Sequence, residues 1–206
     1  MPATAPRRMS RSDRRASLLA AAAQVISDAP GERLSFEAVA AAAGVSPTLP
    51  YKYFDSIEDI TLELYAATVA DVDARIDDLL ADPGVSFDDT LRSSFLMWCE
   101  QVERDDFLFV RLAEGANAAD LARSVRRRRE RAVGTWAEVL VAEFGLDDVT
   151  ARLLAASITT SASAMVQRVF ADRLERTAVA ELLVVVARAQ CASAVATGMS
   201  IDPTPR

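Results

Sequence analysis

A glycine between two short amphipathic segments constrains this chain more than any other feature. The first segment, Ser35 to Ala43, is rich in alanine and spaces its apolar residues as a helix does. Gly44 permits a sharp reversal of the backbone, and Ser46-Pro47 is a typical start for a second short helix. Helix, tight turn and helix in succession form the motif that lays its second helix in the major groove of DNA. The sequence therefore predicts a helix-turn-helix over about residues 35–53.

Helical periodicity continues through the rest of the chain, which predicts an all-α fold. Ser35 and Ser56 are predicted N-caps, and Asp59 stands where it would complete a capping box with Ser56. We expect a basic arm and DNA-binding domain over residues 1–55 and a helical body over 56–206. The predicted helices cover 10–27, 35–43, 47–53, 56–80, a segment starting at Ser86, 107–114, 119–144, 147–174 and 178–198.

The charge is distributed unevenly along the chain. The whole sequence carries a formal net charge of -7, yet residues 1–54 hold seven basic and four acidic groups, which gives +3 and leaves -10 for the remainder. Arg7, Arg8, Arg11, Arg14 and Arg15 supply most of the basic groups and would reach a minor groove or remain solvated at the terminus. A basic N-terminal module on an acidic body favours DNA as the partner of the basic end.

The N-terminal quarter, roughly Arg14 to Leu64, resembles the TetR family of bacterial transcriptional regulators. The resemblance is carried by four groups of residues: an apolar leading helix (Leu18, Leu19, Ala22, Val25, Ile26), the segment 34–40, the turn 43–46, and Tyr51-Lys52-Tyr53-Phe54 followed by 56–60. It implies a three-helix DNA-binding domain followed by a helical ligand-binding and dimerisation domain. Pro50 stands where the family usually has leucine, and Ile57 where it usually has lysine, so the third helix is predicted to start late or to be distorted, with one phosphate contact fewer.

Seven residues of the motif are candidates for contacting double-stranded DNA. The hydroxyls of the two tyrosines and the lysine ammonium suit phosphate oxygens, and the resemblance implies the same role. The two serines lie at helix N-termini, which favour phosphate, while the proline and threonine offer contacts to bases. The alternative for the two tyrosines and the lysine is half-buried packing. The candidates are Ser35, Ser46, Pro47, Thr48, Tyr51, Lys52 and Tyr53.

The body is predicted to supply dimerisation and a ligand pocket. A palindromic operator requires two copies of the DNA-binding domain, so we expect a homodimer. Its candidate interface residues lie on the last two helices and are Ser157, Ser161, Leu182, Leu183, Val186 and Ala194. A purely intramolecular core is the alternative. The resemblance implies an effector pocket, for which the candidate lining residues are Tyr65, Phe95, Trp98, Phe109, Trp136 and Met165. For each of these six residues taken singly, a plain core position is the simpler interpretation. The arginine-rich run 123–131 is predicted to be solvated and paired with acidic groups, or alternatively to hold an anionic ligand.

Several classes of protein are disfavoured. The chain has no histidine and only two cysteines, far apart, so we expect no metal site, no cofactor and no enzyme. No signal peptide is visible, and we expect a cytoplasmic protein without membrane association. The sequence predicts a ligand-responsive transcriptional regulator, most simply a repressor released from its operator by a small, largely apolar effector. The alternative is a ligand-binding or protein-interaction dimer with a weakened DNA-reading head.

Overall fold

All regular structure in the described part of the chain is helical. The computed structural model describes residues 9–29, 32–82, 84–105, 107–114 and 119–201, and no strand occurs among them. The elements are α1 (Arg11–Asp28), α2 (Phe36–Ala42), a 3₁₀ helix (Pro50–Lys52), α3 (Ile57–Ala81), α4 (Phe87–Arg104), α5 (Leu108–Glu114), α6 (Ala119–Phe144), α7 (Asp148–Ala171) and α8 (Arg176–Thr197). The predicted all-α fold class is confirmed.

Local capping explains where most of these helices begin. The Ser35 hydroxyl accepts a hydrogen bond from the Ala38 amide, as predicted. Ser56 and Asp59 form the predicted reciprocal box, with bonds of 3.1 Å in both directions. At α8 the prediction was two residues late, because the Glu175 carboxylate caps the helix by accepting from the amides of Thr177 and Ala178. Those two bonds lower the pKa of Glu175.

The third helix of the motif is shorter than predicted. Instead of an α-helix over 47–53, the chain makes a turn and then the 3₁₀ helix Pro50–Lys52. Proline has no N–H to donate to the Ser46 carbonyl, which accepts from the Leu49 amide at 2.9 Å instead. The Tyr53 amide then bonds back to the Pro50 carbonyl at 2.9 Å, so the segment continues with tight i→i+3 turns.

The described residues divide into two compact units. The first comprises those of Met1–Val69 and Asp105–Ala122, and the second those of Ala70–Arg104 and Arg123–Arg206. In the first unit α1 packs on α2, and the side chains of Leu18, Val39 and Ile60 are fully buried. In the second, α8 packs on both α4 and α7, and Leu183 and Cys191 of α8 lie in its core. Burial raises the pKa of the core thiol of Cys99 to about 11, so it is protonated at neutral pH.

Two glycines give a paired prediction about stability. Gly44 has a φ of +64°, and an added Cβ would meet no atom within 4 Å, so only backbone strain opposes alanine there. Gly134 lies within α6 and is equally open around its Cβ position. We expect Gly44→Ala to destabilise the protein by about 1 kcal/mol and Gly134→Ala to stabilise it by about 1 kcal/mol. Chemical denaturation of both variants tests this, and shifts of the same sign would contradict it.

Candidate nucleic-acid interface

The segment 46–53, called the reading segment below, presents polar side chains to solvent from a buried anchor. Ser46, Pro47, Thr48, Tyr51 and Lys52 are exposed, and Tyr53 is half-buried. Pro50 and Phe54 are buried and hold the segment against the rest of its unit. The buried side chain of Pro50 thus anchors the reading segment, while residues before and after it in the segment are exposed to solvent.

The serine and threonine hydroxyls of this region are already engaged locally. The Ser46 and Thr48 hydroxyls lie 2.9 Å apart and share one hydrogen bond. The Ser46 oxygen also accepts a long bond of 3.4 Å from the Thr48 amide. The Ser35 oxygen accepts from the Ala38 amide at 3.2 Å, and this leaves its proton available to a phosphate oxygen.

Tyr51 is held by a carboxylate that no sequence pattern singles out. Its hydroxyl donates to the Glu37 carboxylate at 3.1 Å, and its ring packs on the Phe36 ring at a centroid distance of 4.3 Å. The bond to Glu37 raises the pKa of Tyr51. Glu37 lies in the first turn of α2, fourteen residues before Tyr51, so no local sequence pattern joins the two.

The arginines of the basic arm separate into different environments. Arg7 and Arg8 lie outside the described residues. Arg11 is exposed in the first turn of α1, with its guanidinium carbon 6.0 Å from the centre of the Tyr53 ring. Arg14 is half-buried in the same helix. Arg15 has a different environment from these, because it belongs to a network inside the unit.

Arg15 joins three elements of the first unit. Its guanidinium pairs with the Glu63 carboxylate of α3 at 2.5 Å and donates to the Tyr53 carbonyl at the end of the reading segment. It also covers the Phe54 ring, 4.2 Å from the ring centre. The bond to Glu63 raises the pKa of Arg15. Arg15 thus ties the end of the reading segment to α3.

The sequence of this unit matches a known family. Residues 18–64, which include α2, the reading segment and the start of α3, match the profile of the bacterial regulatory proteins of the tetR family. Over these residues the chain is similar to the TetR family of bacterial regulatory proteins. Proteins of this family act by binding DNA rather than by catalysing a reaction, and the prediction of a non-enzyme is confirmed.

Several solved structures share the fold over most of the chain. A TetR-like transcriptional regulator from Rhodococcus sp. RHA1 is 28% identical, with a TM-score of 0.70 over 90% of this chain and 99% of that one. A tetR-family regulator from Streptomyces coelicolor is 20% identical, with a TM-score of 0.68 over 92% and 85%. The multidrug binding protein EbrR, solved with imidazole, is 22% identical, with a TM-score of 0.59 over 82% and 92%. A comparison with curated proteins gives no match.

The candidate pocket residues do not share one environment. Phe95 and Trp136 are buried in the second unit, where Trp98 and Met165 are half-buried. Tyr65 is buried in the first unit. The side chain of Phe109 lies outside the described part of the structure. The ligand-binding assignment of these residues stays a prediction.

The face of Trp98 is covered by a charged pair of the second unit. The Arg128 guanidinium lies 4.3 Å from the centre of the Trp98 ring and bonds the Asp73 carboxylate at 2.6 Å. Arg131 reaches the other oxygen of Asp73 at 2.8 Å. The expected acid pairing of the arginine run is thus realised at these two positions, although Arg128 is mostly buried rather than solvated.

An open cavity of about 230 Å³ lies elsewhere in the second unit. Its lining residues include the apolar Leu80, Val85, Phe87 and Val139 and the acidic Asp82 and Glu143. None of the five candidate pocket residues whose side chains are described lines it. Sequence periodicity could not have indicated this cavity, because its walls come from the ends of separate helices.

The candidate dimer residues divide into an exposed and a buried group. Leu182 of α8 is 53% exposed, and its neighbour Val185 is 64% exposed. Ser157, Ser161 and Val186 are half-buried. Leu183 and Ala194 face the interior of the unit, since α8 packs its other side on α4 and α7. The exposed apolar stripe of α8 therefore contains Leu182 and Val185 rather than Leu183.

Helices α7 and α8 carry more apolar surface than their own unit covers. By length and composition alone both could cross a membrane, but only 28% and 33% of their most apolar windows are buried. Two such helices are weak evidence for a membrane span, because the core helix of a soluble protein passes the same test.

Proposed function

We propose that the protein is a homodimeric repressor that binds a palindromic operator and is released by a small effector. The observation that carries the DNA-binding part is the reading segment. Five exposed side chains of residues 46–52 flank a buried proline, within the unit that matches the family's DNA-binding region. Such a segment is positioned rigidly, as groove recognition requires. The domain boundary near residue 55, just before α3 begins, belongs to the same proposal.

The proposed DNA contacts are of two kinds: contacts to phosphates, which position the protein on the duplex, and contacts to bases, which recognise the sequence. Lys52 is exposed and forms no ion pair within the described residues, so its ammonium is available to a phosphate. The hydroxyls of Tyr53 and Ser35 donate to neighbouring phosphates, and Ser46 adds a further polar contact. Pro47 and Thr48, at the exposed start of the segment, face the bases, where the threonine methyl suits the methyl group of thymine.

The test is selection of bound fragments from genomic DNA by the purified protein, with affinity followed against salt concentration. A short palindrome bound at roughly nanomolar strength supports the proposal. Binding that is weak, indifferent to sequence and strongly salt-sensitive would favour the alternative, a ligand-binding or protein-interaction dimer with a weakened reading head.

Removing the Tyr51 hydroxyl should weaken operator binding. We expect Tyr51→Phe to lower the affinity about fivefold, the equivalent of one hydrogen bond, because the ring packing on Phe36 is retained. Fluorescence anisotropy with the selected operator measures the change. Sedimentation of the variant serves as the control, since the substitution lies far in sequence from α8 and should leave oligomeric state unaltered. Unchanged affinity would mean that the Tyr51 hydroxyl contributes nothing to operator binding.

The proposed dimer uses the exposed stripes of α7 and α8. Leu182 and Val185 of α8 and Leu153 of α7 are each more than half exposed, although they are large and apolar. A second copy of the chain would cover them in a four-helix interface with twofold symmetry. Binding to a palindromic operator then requires the two reading segments to lie about 34–36 Å apart, or a multiple of that distance, along the duplex.

The proposed effector is small and largely apolar, and it binds in the body. Buried Phe95 and Trp136 support this, as does the fold shared with EbrR, whose structure contains imidazole. An effector releases DNA only if it binds the two conformations of the dimer with different affinity. α3 is the element through which it would act, since α3 is unbroken from Ile57 to Ala81 and its Glu63 is joined through Arg15 to the reading segment. We place this function in the cytoplasm.

A further inference from the structure

Glu37 and Tyr51 form a fixed pair on the exposed surface of the first unit. The Tyr51 hydroxyl donates to one oxygen of the Glu37 carboxylate at 3.1 Å. Both residues are exposed, and the Tyr51 ring is braced against Phe36, which is buried. The pair therefore joins the first turn of α2 to the reading segment and holds a carboxylate beside it.

The Glu37–Tyr51 pair can only accept further hydrogen bonds. A tyrosine hydroxyl has one proton, and here Glu37 takes it. What remains are lone pairs on the Tyr51 oxygen and the second carboxylate oxygen of Glu37, for which the described residues provide no hydrogen-bond donor. Phosphate oxygens are acceptors with negative charge, so they do not complement an ionised carboxylate. The pair needs a partner that donates.

The major groove of DNA offers two such donors, the amino groups on N4 of cytosine and N6 of adenine. The adenine amino group lies beside N7, an acceptor that would repel a carboxylate. Cytosine has a C–H group at the corresponding place. Carboxylate side chains accordingly pair with cytosine, whereas amide side chains, which donate as well as accept, pair with adenine.

We propose that Glu37 is a specificity-determining residue that accepts a hydrogen bond from a cytosine amino group in each operator half-site. Tyr51 is its positioning residue and fixes the carboxylate rotamer. The inference rests on the proposed function and deepens it. The reading segment lacks Arg, Asn and Gln, and the pair supplies base recognition from α2 instead. Its charge also penalises DNA without a matching donor, which raises selectivity at the expense of non-specific affinity.

Exchange of Glu37 tests the pair through base preference, which a merely structural role would not move. After the operator is selected with the wild-type protein, each base pair of a half-site is replaced in turn. The wild type should lose about tenfold in affinity when the one cytosine is replaced by thymine, whose O4 is an acceptor. Glu37→Ala should bring the ratio of the affinities for the cytosine and thymine operators close to one. Glu37→Gln should shift the preference at the same position to adenine. Tyr51→Phe should lower the ratio less than Glu37→Ala does.

The controls separate this inference from the proposed function. Glu32→Gln removes the same charge from an exposed residue just before α2 and should leave every base preference unchanged. Thermal unfolding of each variant confirms that the fold is intact. If the wild type binds an operator and Glu37→Ala keeps all its base preferences, the inference is wrong although the function stands. If the wild type selects no operator, the proposed function fails, and the inference fails with it.

Discussion

Two glutamates on the exposed face of α8 should convert the proposed dimer into a folded monomer. Leu182→Glu with Val185→Glu places charges where the side chains are now 53% and 64% exposed, so the subunit itself loses little packing. A second copy of the chain would have to bury both charges, which is strongly unfavourable. A monomer binds only one half-site at a time, so operator affinity should fall by about 100-fold or more. Sedimentation velocity and operator titration measure the two effects.

The same substitution one residue away provides the contrast. Leu183 is 1% exposed, within the packing of α8 on α4 and α7. Leu183→Glu buries an unpaired charge in the subunit and should cost at least about 4 kcal/mol, enough to unfold many domains of this size. Circular dichroism distinguishes the unfolded variant from the folded monomer. A stable dimer of the Leu182→Glu/Val185→Glu protein would place the interface elsewhere than on α8.

Features that depend on near neighbours in the sequence were predictable. The helix 119–144 was predicted with its observed bounds, because an apolar period and a following glycine mark it. Ser35 and the Ser56–Asp59 box were found from spacing alone, since capping partners lie three residues apart. The third helix was predicted with the wrong bounds, although Pro50 itself signalled a late start, which the structure shows.

Features that depend on distant residues were not predictable. Glu37 bonds a residue fourteen positions away, and Arg15 bonds one forty-eight positions away. Neither separation leaves a periodic trace, so the sequence does not indicate the role of Glu37 and does not distinguish Arg15 from the other arginines of the basic arm. On α8 an apolar residue occupies nearly every position, so hydrophobicity alone could not separate Leu182 from Leu183. Only the packing of α8 on α4 and α7 assigns the two residues to opposite faces.

Removal of the Arg15 guanidinium should weaken both the first unit and its DNA binding. Arg15→Ala leaves the Tyr53 carbonyl and the Glu63 carboxylate without their common donor and uncovers the Phe54 ring. The half-exposed ion pair alone contributes less than about 1 kcal/mol, because water screens it. With the lost carbonyl hydrogen bond and ring contact, we expect about 2 kcal/mol of destabilisation. Chemical denaturation measures this, and operator affinity should fall because the end of the reading segment is released.

Arg14 provides the matched control for that substitution. It precedes Arg15 in α1, carries the same charge and is half-buried, but it forms no salt bridge within the described residues. Arg14→Ala should change stability by less than about 0.5 kcal/mol, as expected of a substitution that breaks no specific contact. Both variants lose one positive charge, so any general electrostatic loss in DNA affinity is shared between them. The additional loss in Arg15→Ala then measures how far the orientation of the reading segment depends on its attachment to α3. Equal effects of the two substitutions would mean that Arg15 acts only through its charge.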